Sequence, residues 1–396
     1  MPQNHRTQTC GARTTGLRRG GTGRLSTFDL IARVLAARLQ QLEPSDDLRA
    51  ALTGRCRAIW QDMLARARGE FVLPAFAAAI MDLNLHRALE PQVRGFLAIA
   101  QAANVQRNAR LGEQLTAVAN RLNRVGIEPV LLKGAIRLVD GLYPDPGWRT
   151  LQDLDVLVPE AELASAIDAL ESAGYVAVRP PDDSRKDVKL RRQGLADVEI
   201  HRELFGPARQ QRLLTGAEVI GGSRRAAVDG AAVRVPSSAH QLVHLIGHSQ
   251  IGHRGHAYGR IALRDRLEAA ALVRWVPDSV DWPTIFTCFA AAGYRRPLLA
   301  FLLSLSDGGL CAAPVQGRID ALTMLQKRRI ALQARSPAMT RVSLYLGWYA
   351  VLLDMQTMEH EAGGPKMVQT LKRLVRDPEE RRRLLRTFLH GVPRPW

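Results

Sequence analysis

The chain has 396 residues, 46% of them apolar and 5% aromatic, with 55 lysines and arginines against 38 acids and a formal charge of +17. The apolar fraction is that of a globular protein with a real core, and the length allows one large domain or two to three ordinary ones. Cys10, Cys56, Cys288 and Cys311 show no CxxC spacing, which excludes a zinc ribbon or redox pair and makes a reducing, cytoplasmic setting the default; no apolar run reaches the ~18 residues of a membrane span.

Met1–Arg24 is basic, rich in Gly, Thr and Arg, and lacks an apolar h-region. It reads as a disordered tail (residues 1–25) or a misassigned start rather than a signal peptide. Residues 26–125 form a helical region. FDLIARVLAARLQQL repeats apolar residues every three to four positions, and Ser26-Thr27 can cap it. Breaks fall at Gly69 and Pro74, and a long amphipathic helix runs from about Gln92 to Val125, with Gly126 as its C-cap.

From Gly126 the period changes. PVLL reads as a short buried strand ending at Lys133-Gly134, Ala135 to Leu142 as a helix, and YPDPGWR as a loop. LQDLDVLV reads as a strand stopped by Pro159, Glu160 to Ala173 as a helix ended by Gly174, and Tyr175 to Val178 as a strand. Asp187–Leu190 and Asp197–Leu204 add two more strands. The alternation predicts a mixed α/β sheet over 126–236. VDGAAVRVPSSAH predicts a hairpin followed by a helix cap, and residues 237–396 read as a second helical region.

Three pieces carry chemistry. Lys133-Gly134 stands between a buried strand and a helix, where glycine admits a phosphate to the backbone and lysine adds a point charge; an ordinary turn is the plain alternative. In Arg149…Asp153-x-Asp155 a strand would project both carboxylates from one face, about 7 Å apart. Like charges buried together need neutralising, and a divalent cation does this economically. Asp197-Val198-Glu199-Ile200-His201 alternates so that Asp197, Glu199 and His201 share a face. Glu199 beside the aspartates would complete three carboxylates able to hold two Mg2+ ions for in-line phosphoryl displacement.

The order LLKG, then R-x3-DxD before apolar residues, then VEIH resembles an uncharacterised nucleotidyltransferase-like family of the polymerase-β-type superfamily. The resemblance covers about Ile127 to His201 well and HQLVHLIGHSQ and LRDRLEAAALV more loosely. It implies a mixed-sheet α/β (α+β) core flanked by helical regions and a metal-dependent enzyme. That enzyme would transfer an NMP group from an NTP to an unidentified small molecule, peptide, protein or RNA, with Mg2+ or Mn2+ as cofactor and release of pyrophosphate. Asp153, Asp155 and Glu199 would be catalytic metal ligands, and Lys133, Gly134 and Arg149 would bind the nucleotide. His201 and His248 would face the substrate. The superfamily's usual G-S turn is replaced by Lys-Gly, which motivates a second expectation, a nucleotide- or peptide-binding module without turnover. A third is an RNA-binding protein using the positive charge.

His240, His244 and His248 recur every four residues on a predicted helix, with His253 and His256 beyond it. No glutamate stands where a zinc-protease helix needs it, so they read as a helix packed beside the site rather than as a metal centre. Arg264 and Asp265 read as an ion pair rather than a substrate contact. The basic amphipathic stretch at 371–391 reads as a packed helix hairpin with a solvated face rather than a nucleic-acid or membrane helix.

Overall fold

The computed structural model describes residues 26–53, 55–179, 186–315, 319–335, 339–344 and 347. The expected tail at 1–25 and the basic stretch at 371–391 lie outside the described residues. Seven strands form one mixed sheet: β1 (Val130–Leu132), β2 (Leu154–Leu157), β3 (Val176–Ala177), β4 (Asp187–Arg191), β5 (Val198–His201), β6 (Ser223–Val228) and β7 (Ala231–Pro236). Their order is β3-β4-β5-β2-β1-β7-β6. β2 runs parallel to β5 and β1 parallel to β7, and the other neighbours are antiparallel. The fold class is therefore the mixed α/β expected.

Side-chain alternation gives the two faces different neighbours. Leu131, Leu154, Val156, Val198 and Ile200 point to a core closed by Leu111–Leu122 of the long helix Pro91–Arg124 and by the helix Leu163–Glu171. Val130, Leu132 and Leu157 point the other way, into a core shared with Thr27–Leu39, Leu73–Asp82, Ser238–Gly247, Leu263–Trp275 and Arg295–Asp307. The helices before the long helix and those after the sheet thus pack as one layer against one face. This layer carries much of the fold's apolar stabilisation, since burying each Leu or Ile contributes roughly 1.5–3 kcal/mol.

Local chemistry explains the boundaries. Ser26 accepts the backbone N–H of Asp29, and Pro91 opens the long helix, which ends before Gly126 at φ 83°. Asp229-Gly230, at φ 44° and 84°, makes the two-residue β6–β7 turn whose twist suits a hairpin. Two expectations need correction. The helix expected over Ala135–Leu142 is a short 3-10 turn, Lys133–Leu138. Asp140 ends it by accepting the Leu142 N–H at 3.0 Å and pairing with Arg137, and Gly141 turns away at φ 65°. The second strand starts at Leu154, so Asp153 precedes it rather than lying within it.

The Asn and Gln residues of the long helix bind chain that would otherwise leave buried carbonyls unpaired. Asn104 donates to the carbonyls of Gly147 (2.7 Å) and Arg149 (3.0 Å), and Asn108 to those of Pro146 (2.5 Å) and Arg149 (2.8 Å). Gln114 donates to Ala196 O at 2.8 Å and accepts Ala196 N–H at 3.1 Å. The loops entering β2 and β5 are thus anchored to one rigid element, which fixes where their acids emerge.

Candidate metal and nucleotide site

Register assembles the site. Asp155 of β2 lies opposite Glu199 of β5, and Leu157 opposite His201. On the far side of β5, Lys189 pairs with Glu199 and Asp187 with His201. A row Lys189–Glu199–Asp155–Leu132 therefore crosses four strands on the face beneath the helical layer. Lys133 follows Leu132 with a left-handed backbone, φ 48°.

The contacts are close. Lys133 Nζ lies 2.6 Å from Asp155 Oδ1 and 3.8 Å from Glu199 Oε2. Lys189 Nζ holds Glu199 Oε1 at 2.6 Å. His201, fully buried, places Nε2 2.8 Å from Asp155 Oδ1 and 3.7 Å from Glu199 Oε2. Its other nitrogen lies 3.4 Å from Lys186 Nζ, and Lys186 pairs with Asp187. An ammonium only donates, so Nδ1 accepts and the neutral ring keeps its proton on Nε2, which donates to Asp155.

Burial would raise the Asp155 carboxyl, but Lys133 and the His201 hydrogen bond outweigh it and hold it well below the usual carboxylate range. Burial also opposes the Lys133 charge, yet Asp155, Glu199 and Asp153 keep that ammonium above the ordinary lysine value. Burial lowers His201, and Lys133 and Lys186 lower it further, so the ring is neutral at pH 7. Asp153 is crowded instead of paired: burial and the carboxylates of Asp155 and Glu199 push it up to about 6.

Asp155, Glu199 and His201 bring their ligand atoms within 4.8 Å of one another, a group able to hold a metal ion. Asp153 stands outside that group but beside it, on the wall of a cleft of about 550 Å³ that Asp155, Glu199, Lys133 and Lys186 also line. His244, His248 and His253 line the same cleft, with the His248 ring centre 5.9 Å from His244 and 4.0 Å from His253. His244 Nε2 is buried without a hydrogen-bond partner among the described residues. His240 points elsewhere and packs on Gly222.

Two expected nucleotide contacts are engaged in packing. Arg149 lines the cleft, but its Nε donates to Glu268 Oε2 at 2.7 Å and its Nη1 to Thr150 O at 2.8 Å. Glu268, 3% exposed, also accepts from Arg137 Nε at 3.2 Å. A Cβ on Gly134 would lie 2.4 Å from Leu151 Cδ2, so a larger residue there would have to displace the Leu151 side chain in the loop before β2. Arg264 pairs with its neighbour Asp265 at 2.9 Å. Lys186, Asp187, Lys189 and Glu268 are the site residues that sequence reasoning missed, while His244 was expected on a helix packed beside the site. The alternation DVKL carried a signal for Asp187 and Lys189, since a strand antiparallel to VEIH sets its charges on the same face; Lys186 precedes that strand.

Carboxylates on adjacent parallel strands thus line a cleft with lysine ammoniums beside them, and the Asp155, Glu199 and His201 group could hold a metal ion. The chain belongs to the family described as uncharacterised nucleotidyltransferase, whose model matches residues 56–306. The match takes in helices before and after the sheet, covering the segment 127–201 where the resemblance was clearest, the looser segments HQLVHLIGHSQ and LRDRLEAAALV, and helices before residue 127. A crystal structure of an antigenic nucleotidyltransferase-like protein from Paracoccidioides brasiliensis is similar over 52% of this chain and 94% of that one, at 17% identity and a TM-score of 0.33. No curated protein matches the chain. Among the described residues no helix is long and apolar enough to cross a membrane.

Proposed function

We propose that the protein transfers an NMP group from an NTP to an acceptor, with a divalent cation and release of pyrophosphate. The observation that carries this reading is the grouping of Asp155, Glu199 and the buried His201 within 4.8 Å, where Asp155 and Glu199 line the cleft with Asp153 beside them. The donor set fits the group: with the His201 Nε2 proton given to Asp155 in a hydrogen bond, the donors left for a metal are the carboxylate oxygens of Asp155 and Glu199, which suit Mg2+ or Mn2+. Asp155 and Glu199 would hold the cation, with Asp153 completing the set. When bound, it supplies charge neutralisation and alignment for in-line displacement at phosphorus.

The chain's own groups do the rest. His201 donates to Asp155 and fixes the carboxylate that faces the cleft. Lys133 and Lys186 carry positive charge on the same wall for the triphosphate. Arg149, neutralised by Glu268, shapes that wall more than it binds phosphate. Gly134 lets the loop close down beside Lys133. His248 lines the same cleft and would contact the acceptor.

Incubation of the purified chain with each α-labelled NTP, Mg2+ or Mn2+ and cell extract tests the reading. Label on an acceptor, dependent on the divalent ion, is the expected result; no transfer with any NTP overturns it. The Lys133–Asp155 ion pair favours a second reading, a nucleotide-binding module without turnover. Metal-dependent NTP binding without pyrophosphate release would select that alternative.

A further inference from the structure

Lys133 carries a left-handed backbone, φ 48°, uncommon for a side-chain-bearing residue. Its ammonium lies 2.6 Å from Asp155 Oδ1 and 3.8 Å from Glu199 Oε2. Those carboxylates belong to the group whose ligand atoms lie within 4.8 Å of one another. His201 Nε2 already takes the same Asp155 oxygen at 2.8 Å. A divalent cation on Asp155 and Glu199 needs the lone pairs that the ammonium uses, in a space two positive charges cannot share. Lys189 does not conflict in this way, because it holds the other Glu199 oxygen from the outer, more exposed side.

We propose that Lys133 is a built-in competitor for the metal: its ammonium and the divalent cation exclude each other at Asp155, and cation binding turns Lys133 into the cleft. This rests on the metal reading above. The cleft it turns into is the one proposed for the triphosphate, so the same lysine becomes a phosphate ligand once the carboxylates release it. Cation and nucleotide then strengthen each other's binding, because each favours the same position of one side chain. The Lys-Gly turn acquires a purpose by this route. It offers a counter-charge that keeps a buried aspartate ionised and that leaves when a metal arrives.

Mn2+ titration of the full chain, followed by calorimetry or by loss of the free-ion EPR signal, tests the competition. Lys133→Asn removes the ammonium and keeps a residue that tolerates the left-handed backbone. Its Mn2+ affinity is expected to rise about tenfold or more, the size of one charge-assisted hydrogen bond no longer displaced. Equal affinity in the two proteins overturns the competition and leaves the metal reading standing. Failure of both to bind Mn2+ overturns both. Should the variant not fold, reductive methylation of the unaltered protein decides: peptide mass spectrometry is expected to show Lys133 reacting several-fold faster with Mn2+ than with EDTA, and an unchanged or slower rate overturns the proposal.

Discussion

Glu268 joins the helical layer to the sheet through charge, and its removal can be worked out from the contacts. The carboxylate is 3% exposed and serves two guanidiniums, Arg137 Nε at 3.2 Å and Arg149 Nε at 2.7 Å. Burial would raise its carboxyl, but Arg149 and Arg137 outweigh that and keep it ionised. Glu268→Gln preserves shape and removes the charge. Arg137 keeps Asp140 and the Gln241 oxygen at 2.7 Å, whereas Arg149 keeps the Thr150 carbonyl and a neutral amide oxygen in place of its paired carboxylate. Stranding one buried charge costs about 3–5 kcal/mol. Urea unfolding is expected to show a loss of that order, with Arg149→Met plus Glu268→Leu costing clearly less than the sum of the single changes. A loss under about 1 kcal/mol, the worth of an exposed pair, would refute the reasoning. So would an Arg149→Met protein of unchanged stability that has lost NTP affinity, because Arg149 would then be a phosphate ligand first.

Gly134→Ala places a methyl 2.4 Å from Leu151 Cδ2, and is expected to cost about 1–3 kcal/mol as an overpacked site. Leu151→Ala in the same chain should recover part of that loss in a thermal melt, and no recovery would place the glycine's role elsewhere. Acid should destabilise the fold through its histidines. Burial, then Arg329 and Arg296, hold His256 at about 4, and burial holds His253 at about 4 despite Asp265. Unfolded histidine takes up its proton near 6.5, so between about 6.5 and 4 the unfolded state binds more protons and stability falls with pH. Each such histidine contributes at most about 1.4 kcal/mol per pH unit. Urea midpoints measured at pH 7, 5.5 and 4.5 should decline, less steeply in His256→Gln; a flat profile would contradict the burial of these rings as neutral groups.

The carboxylates were legible because strand alternation is a local code. LDVL and VEIH each fix which residues share a face, and apolar partners at the alternate positions declare that face. The hairpin at Asp229-Gly230 and the cap at Ser26 were legible for the same reason, since turn and cap chemistry lies in adjacent residues. The Glu268 link was not legible. It joins residue 268 to residues 137 and 149 only after the helical layer closes on the sheet, and LRDRLEAAALV alone reads as an ordinary amphipathic helix. Lys133 shows both limits. Its place after a buried strand could be read, but its grip on Asp155 depends on β1 and β2 pairing at Leu132 and Asp155. Asp153 slipped out of the strand because the loop before it is tied to Asn104 and Asn108, far back along the chain.

The central claim is that the acids at the end of β2 serve metal-dependent nucleotidyl transfer. The direct test compares the unaltered chain with one carrying Asp153→Asn and Asp155→Asn, each supplied with α-labelled NTP, Mg2+ or Mn2+ and cell extract. Circular dichroism and the urea midpoint would first establish that the double variant is folded. The account predicts label transfer and pyrophosphate release by the unaltered chain with a divalent ion, and neither by the double variant. Transfer that survives both substitutions at an unchanged rate would contradict it.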